Sequence, residues 1–321
     1  GLAFFMLNKS KAKPEDIWQQ YISYINEQKY EEMYNMLTED SKSQISQEDF
    51  ITRNKNIYEG IDMTDMKIEI TNIEKEDSKL SKISYNSSMN TEAGEIDFAN
   101  TVRLTKNKEN GYLINWSSSL IFPQLNNTDK VRIKTISAER GSIVDRNGQL
   151  LAGKGSVSSV GIVPGKLGEN KENSIETIAN LLGTTADAIN KSLSASWVKD
   201  DSFVPIKKVS KDATELKNQL LQIPGVKITT DTGRTYPLGE ASAHLVGYVQ
   251  NITAEELEAN RGKGYTSTSV IGKSGLEKEY EERLKGKDGV EIYIEDSEGN
   301  RKVDIAKIDV QNGEDIKLTI D

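Results

Sequence analysis

The chain has 321 residues, 36% of them apolar and 28% charged, with a formal net charge of −9. That length suggests two domains with real cores, and the acidic balance argues against a nucleic-acid partner, whose phosphates call for clustered Lys and Arg. There is no cysteine and one histidine, so disulfides are excluded, zinc and iron–sulfur centres lack their usual ligands, and Ser–His–Asp catalysis would have to run through His244.

The opening Gly1-Leu2-Ala3-Phe4-Phe5-Met6-Leu7 is short and apolar, with Lys9, Lys11 and Lys13 behind it. It reads either as an expression scar or as the last turn of a removed membrane anchor beside its basic flank. Residues 1–13 are therefore assigned as a tether or an expression remnant. No stretch approaches the roughly 20 apolar residues of a membrane span.

The next region, 14–125, begins with helices. Pro14 suits a first helical turn and Glu15 and Asp16 suit its dipole. Ile17, Tyr21 and Ile25 then share a face, followed by Tyr30, Met33, Tyr34 and Leu37 on another. Ser46 and Asp49 form a capping box before Phe50, Ile57 and Tyr58. After Gly60 the period becomes two: Met66, Ile68 and Ile70, then Ile83 and Tyr85, then Phe98, Val102 and Leu104, and finally Ile114, Trp116 and Leu120. Asn110-Gly111 is a hairpin signal between the last two runs. Helices followed by an antiparallel meander make an α+β domain.

Pro123 to Lys130 is polar and without period, and reads as a linker. The second domain, 130–321, opens with strand-like Val131, Ile133 and Thr135 and a turn at Asn147-Gly148. Caps then predict four helices. Asn173 with Glu176 starts one carrying Ile175, Ile178, Ala179 and Leu182, stopped by Gly183. Thr184 with Asp187 starts the next, carrying Ile189, Leu193 and Trp197. Ser210 starts a third with Ala213, Leu216 and Leu220, closed by Pro224-Gly225, and Thr253 with Glu256 starts a fourth.

Three segments of this domain are specific. The first runs Arg140-Gly141-Ser142-Ile143-Val144-Asp145-Arg146-Asn147-Gly148 to Ala152. The second is Gly233-Arg234-Thr235-Tyr236-Pro237-Leu238-Gly239, continuing through His244 to Val249. The third is Gly272-Lys273-Ser274-Gly275-Leu276-Glu277-Lys278-Glu279-Tyr280-Glu281, continuing through Leu284 to Gly289. Gly141 and Gly148 permit tight turns. Arg140, Asp145, Arg146 and Glu277 offer partners for a charge network. The alternative is a set of exposed pairs worth at most about 1 kcal/mol each. His244, ahead of Leu245-Val246, reads as a packing histidine.

Together and in this order the three segments resemble the N-terminal module of class B penicillin-binding proteins, the dimerisation or pedestal domain. The region before them resembles the cone-shaped fold of nuclear transport factor 2, which narrows the likeness to the low-affinity branch of methicillin-resistant staphylococci and its relatives. The resemblance implies a cone followed by an elongated pedestal, and a charge network joining the pedestal's discontinuous pieces. It implies a scaffold or regulatory role beside a serine-type transpeptidase domain, outside the cell membrane of a Gram-positive bacterium. It implies no cofactor and no metal, and glycan strands or cell-division proteins as partners; the isolated chain is expected to be a monomer. The family's catalytic Ser-x-x-Lys is matched by letter at Ser10–Lys13 and Ser196–Lys199, but no Ser-x-Asn and Lys-Thr-Gly follow in order, and both read as chance. Ile316 to Asp321 resembles the lead into the catalytic domain. The competing reading is a cone that binds a small molecule or acts as an enzyme through paired polar residues in its cavity.

Overall fold

The computed structural model describes residues 12–109 and 111–320, and the chain packs as two compact units, 1–137 with 288–311 and 138–287 with 312–321. The apolar opening, Ser10 of the first Ser-x-x-Lys match, and Asn110 lie outside the described residues.

In the first unit α1 (Pro14–Asn26) starts with Pro14 at its first position, and the Asp16 carboxylate accepts the Lys13 N–H at 3.1 Å. Its buried face is Trp18, Tyr21, Ile22 and Ile25, with Ile17 only half-buried. The stripe thus centres one residue later than Ile17, because the spacing 18, 21, 22, 25 follows a straight helix whereas 17, 21, 25 drifts around it. Short α2 (Tyr30–Asn35) and α3 (Glu39–Gln44) follow, and α4 (Gln47–Gly60) is capped by Ser46, whose hydroxyl accepts the Asp49 N–H at 3.1 Å.

A four-stranded antiparallel meander comes next, β1 (Thr64–Lys75), β2 (Leu80–Thr91), β3 (Gly94–Asn107) and β4 (Gly111–Asn115), joined in chain order. The last hairpin closes with Asn107 paired to Gly111, so Gly111 opens β4 instead of lying inside a two-residue turn, and Asn110 lies outside the described residues. Leu120 is buried but sits in a 3-10 turn, not a strand, since the β3–β4 ladder ends at Asn115. Aromatic rings fill the interior. Trp18 stacks on Tyr21 at 5.2 Å and touches Tyr85 at 5.1 Å, and Phe50 meets Trp116 edge-on at 4.9 Å. Among the described residues of this unit the one buried carboxylate is Asp129, paired with Lys302 rather than with another acid.

The stretch 123–130 is not a free linker. Leu125 is buried, and Arg53 donates to the carbonyl oxygens of Asn126 (2.8 Å) and Asp129 (3.1 Å). Beyond it β5 (Lys130–Ile136) pairs with β12 (Gly289–Glu295), which pairs with β13 (Arg301–Ile308), all antiparallel. Val290, Ile292 and Ile294 of β12 join the aromatic core of the first unit. Packing therefore groups these three strands with residues 14–125, whereas the division at 125/130 follows chain order.

The second unit is built on β7 (Leu150–Ile162). It is flanked by β6 (Ile143–Val144), β8 (Val204–Ser210) and β9 (Val226–Thr235), and β14 (Ile316–Lys317) runs parallel to β6. Helices α5 (Lys171–Leu182), α6 (Ala186–Leu193) and α7 (Thr214–Leu221) place Ile178, Leu182, Ile189 and Leu220 against Val160 and Ile162.

Three predicted starts shift. α5 begins at Lys171, so Asn173 lies inside its first turn, where its carbonyl accepts the Thr177 hydroxyl. Thr185, not Thr184, caps α6. Ser210 ends β8 and accepts the Asp212 N–H in a local turn, leaving α7 to start at Thr214. Gly183 does stop α5 in the left-handed conformation. Trp197 lies past α6 and is 56% exposed, so it is not core. The remaining elements are α8 (Glu240–Val246), β10 (Val249–Asn251), α9 (Ala254–Ala259), β11 (Val270–Gly272), α10 (Gly275–Glu279) and α11 (Glu281–Leu284). Thr253 and Glu256 form the predicted capping box on α9. Among the described residues no helix is long and apolar enough to cross a membrane.

Candidate functional site

The three sequence motifs converge on one side chain. Glu277, on α10, is fully buried, and a buried carboxylate persists only if its charge and lone pairs are satisfied. Arg140, from the loop before β6, donates through Nε to Glu277 Oε2 at 2.8 Å. Arg234, near the end of β9, donates through Nε to Oε1 at 2.7 Å, and Tyr236 adds its hydroxyl to Oε1 at 3.2 Å. The guanidiniums also bind backbone: Arg140 reaches the Glu277 carbonyl at 2.9 Å and Arg234 the Gly141 carbonyl at 2.6 Å. Tyr236 in turn accepts the Val249 N–H at 3.0 Å, tying β10 into the joint.

A second acid completes the set. Glu281, four residues on, accepts from Arg140 at 2.7 Å, from the Gly272 N–H at 3.0 Å and from the Tyr265 hydroxyl at 2.9 Å. Glu281 belongs to the third motif but not to the charge-network candidates, and Tyr265 lies outside all three motifs. The signal for Glu281 was its four-residue spacing from Glu277, which puts both on one side of a helical stretch. Two cations thus face two anions. Burial by itself lowers the pKa of the Arg140 guanidinium, but the bonds and charges of Glu281 and Glu277 outweigh it and raise the pKa. Burial, with the Glu277 charge beside it, pushes the Tyr236 phenol up to about 12.

Backbone must come very close for this to work, and glycines allow it. A Cβ on Gly141 would lie 2.0 Å from the Glu314 carbonyl oxygen, while the Gly141 N–H donates to the Leu284 carbonyl at 2.8 Å. Gly275 starts α10 at φ +56°, and a Cβ there would sit 2.5 Å from the Leu245 carbonyl oxygen. Gly272 is buried on β11, and Ser274 caps α10 through its backbone carbonyl, which accepts the Lys278 N–H. Tyr280 packs beside Ile143, Val246, Leu284 and Ile316 in a small apolar cluster under the joint. Pro237 occupies the second position of a turn closed by the Gly239 N–H on the Tyr236 carbonyl at 2.9 Å.

Other predicted residues stay outside the joint. Asp145 is buried, but its carboxylate caps the β6–β7 turn, with Oδ1 accepting the N–H groups of Asn147 and Gln149 at 2.8 Å each. It pairs with neither Arg140 nor Glu277, because the turn's own donors claim it. Arg146 is exposed on that turn and its backbone N–H donates to the Ile320 carbonyl. Gly148, at φ +86°, supplies the left-handed turn residue. His244 is exposed on α8, not packed, with Leu245 beside it 43% exposed. No group of three or more metal-ligating side chains occurs among the described residues.

Comparison with known proteins agrees with this construction. The family described as NTF2-like N-terminal transpeptidase domain matches residues 13–129, and the Penicillin-binding Protein dimerisation domain matches 135–318. Penicillin-binding protein 3 of Bacillus subtilis is 42% identical over 96% of this chain and 46% of its own length. Peptidoglycan D,D-transpeptidase MrdA of Escherichia coli is 30% identical over 61% of this chain and 32% of its own. The chain thus spans less than half the length of these relatives. A solved complex between Penicillin-Binding Protein (PBP2) and MreC from Helicobacter pylori aligns at 21% identity and TM-score 0.37, over 59% of this chain and 36% of that one. With two family matches in order across nearly its whole length, the chain belongs to the penicillin-binding proteins, joining an NTF2-like N-terminal transpeptidase domain to a dimerisation domain.

Proposed function

We propose that the chain is the non-catalytic part of a serine-type peptidoglycan D,D-transpeptidase and serves to position the transpeptidase domain. The domain limits we assign are 14–125 for the NTF2-like domain and 130–321 for the pedestal. The observation that carries the reading is the Glu277 joint. It draws all three motifs onto one carboxylate and pairs Arg140, Arg234, Glu277 and Glu281 with one another or with backbone. A catalytic centre keeps a reactive group aimed at open space; a spacer needs a rigid, inert one. The aromatic packing of the first unit supports the same role, since Trp18, Tyr21, Tyr85 and Phe50 occupy the interior that a ligand-binding cone would keep open.

The parent protein in this reading sits on the outer face of a Gram-positive cell membrane through an N-terminal anchor, with glycan strands and cell-division proteins as partners. The test is covalent labelling with a fluorescent penicillin. The chain should take up no label, while the same chain extended through a transpeptidase domain should be labelled at one serine. Stoichiometric labelling of the 321-residue chain would overturn the proposal. Titration with soluble peptidoglycan oligomers, followed by NMR, tests the glycan partnership directly.

A further inference from the structure

The chain contains Asn-Gly three times, at 110–111, 147–148 and 312–313. This dipeptide is chemically labile because glycine leaves its backbone nitrogen unhindered and free to rotate toward the asparagine amide. Asn110 lies outside the described residues, but the other two sites differ sharply. Asn312 is clamped: its Oδ1 accepts the Glu139 N–H at 2.9 Å and the Gly313 N–H donates to the Glu139 carbonyl at 2.8 Å. A Cβ on Gly313 would lie 1.7 Å from the Leu284 carbonyl oxygen, so that backbone has no room to rearrange. Asn147 and Gly148 are both exposed, and a Cβ on Gly148 would meet nothing within 4 Å. The Asn147 side chain makes no hydrogen bond among the described residues. The Gly148 N–H is held by one turn bond, to the Asp145 carbonyl at 3.1 Å.

We infer that Asn147 is a site of spontaneous deamidation and isoaspartate formation, and that Asn312 is protected from the same chemistry by the fold. Solvent hydroxide removes the Gly148 amide proton once the turn bond opens, and the nitrogen attacks Asn147 Cγ. The N–Cγ bond forms, the Cγ–Nδ2 bond breaks, and ammonia leaves. Water then opens the cyclic imide at either carbonyl, giving aspartate or isoaspartate. Isoaspartate lengthens the main chain by one methylene where Asp145 Oδ1 holds the N–H groups of residues 147 and 149, and it adds a carboxylate beside that acid. The lengthened turn cannot keep both bonds. The damage reaches β14, because the Arg146 N–H donates to the Ile320 carbonyl at 2.9 Å and β6 pairs with Ile316 and Lys317.

The experiment is peptide mass mapping of the folded chain held in mildly alkaline buffer at body temperature, with isoaspartyl methylation as a second readout. Local opening of an exposed turn is far cheaper than opening the packed backbone at Gly313, so Asn147 should convert at least about tenfold faster than Asn312. In denaturant the two should convert at similar rates. Asn147→Gln should remove the methylation signal from that peptide. Equal conversion of Asn312 in the folded chain would overturn the inference. So would an Asn147 that stays intact when folded while the denatured chain converts it.

Discussion

Arg234 donates to Glu277 at 2.7 Å across 43 residues of chain, and Arg140 reaches the other oxygen of the same carboxylate from 137 residues away. One buried side chain therefore carries the closure of three distant segments. The arrangement is fork-like, charge-assisted and shielded from water, which separates it from an exposed surface pair.

Removing the shared anion leaves two guanidiniums facing a single remaining acid. Glu277→Gln should destabilise the second unit by about 3–5 kcal/mol, because a buried charge is left uncompensated. Urea unfolding followed by near-ultraviolet circular dichroism measures it. An unchanged midpoint would mean that the joint is relaxed by water in solution.

The two motif glycines should respond differently to alanine. Gly141→Ala drives a Cβ to 2.0 Å from the Glu314 carbonyl oxygen, so backbone must move and the cost should be about 1–3 kcal/mol or more. Gly148→Ala meets open space and should cost only its left-handed backbone, about 1–2 kcal/mol. Melting curves of the two variants give the ranking.

Acid sensitivity of the first unit should pass through Asp129. The Lys302 ammonium at 2.7 Å, with the Asn126 N–H at 2.9 Å, holds this carboxyl below its ordinary value. A depressed carboxyl pKa contributes stability above the unfolded value of about 3.9, and that stability is lost as pH falls through the folded value. Asp129→Asn should therefore lower Tm at neutral pH, and the gap to the parent chain should narrow below about pH 4. A constant gap across the acid range would show that the ion pair is not the cause.

Tryptophan burial supplies a fourth test. Trp18→Ala empties the aromatic interior and should cost about 3–5 kcal/mol. Trp197→Ala, at a residue 56% exposed, should change stability by no more than about 0.5 kcal/mol. Quenching by a soluble ion should act on Trp197 and spare Trp18.

Much of the local structure was legible. The Ser46 cap, the Thr253–Glu256 box, the Gly183 stop and the Asn147-Gly148 turn depend on neighbours within a few residues, and each stands where its motif places it. The misplaced starts are those at Asn173, Thr184 and Ser210. None of the three predicted cap residues makes the cap bond: α6 uses the neighbouring Thr185, while Asn170 and Ala213 precede α5 and α7 with no side-chain cap bond at all.

By itself the sequence determined the order of helices and strands, the family through three motifs, and the chemistry available to the joint: two arginines, an acid and a tyrosine. Only the tertiary structure decided how they combine. It drew Glu281 and Tyr265 into the joint and assigned Asp145 to its own turn. It left His244 and Trp197 in solvent, and it turned 123–130 from a linker into a packed segment under Arg53. The physical reason is range. A cap or turn is settled by bonds a few residues long, whereas which carboxylate an arginine meets depends on segments 137 residues apart being brought together, beside a close approach in which a Cβ on Gly141 would lie 2.0 Å from the Glu314 carbonyl oxygen.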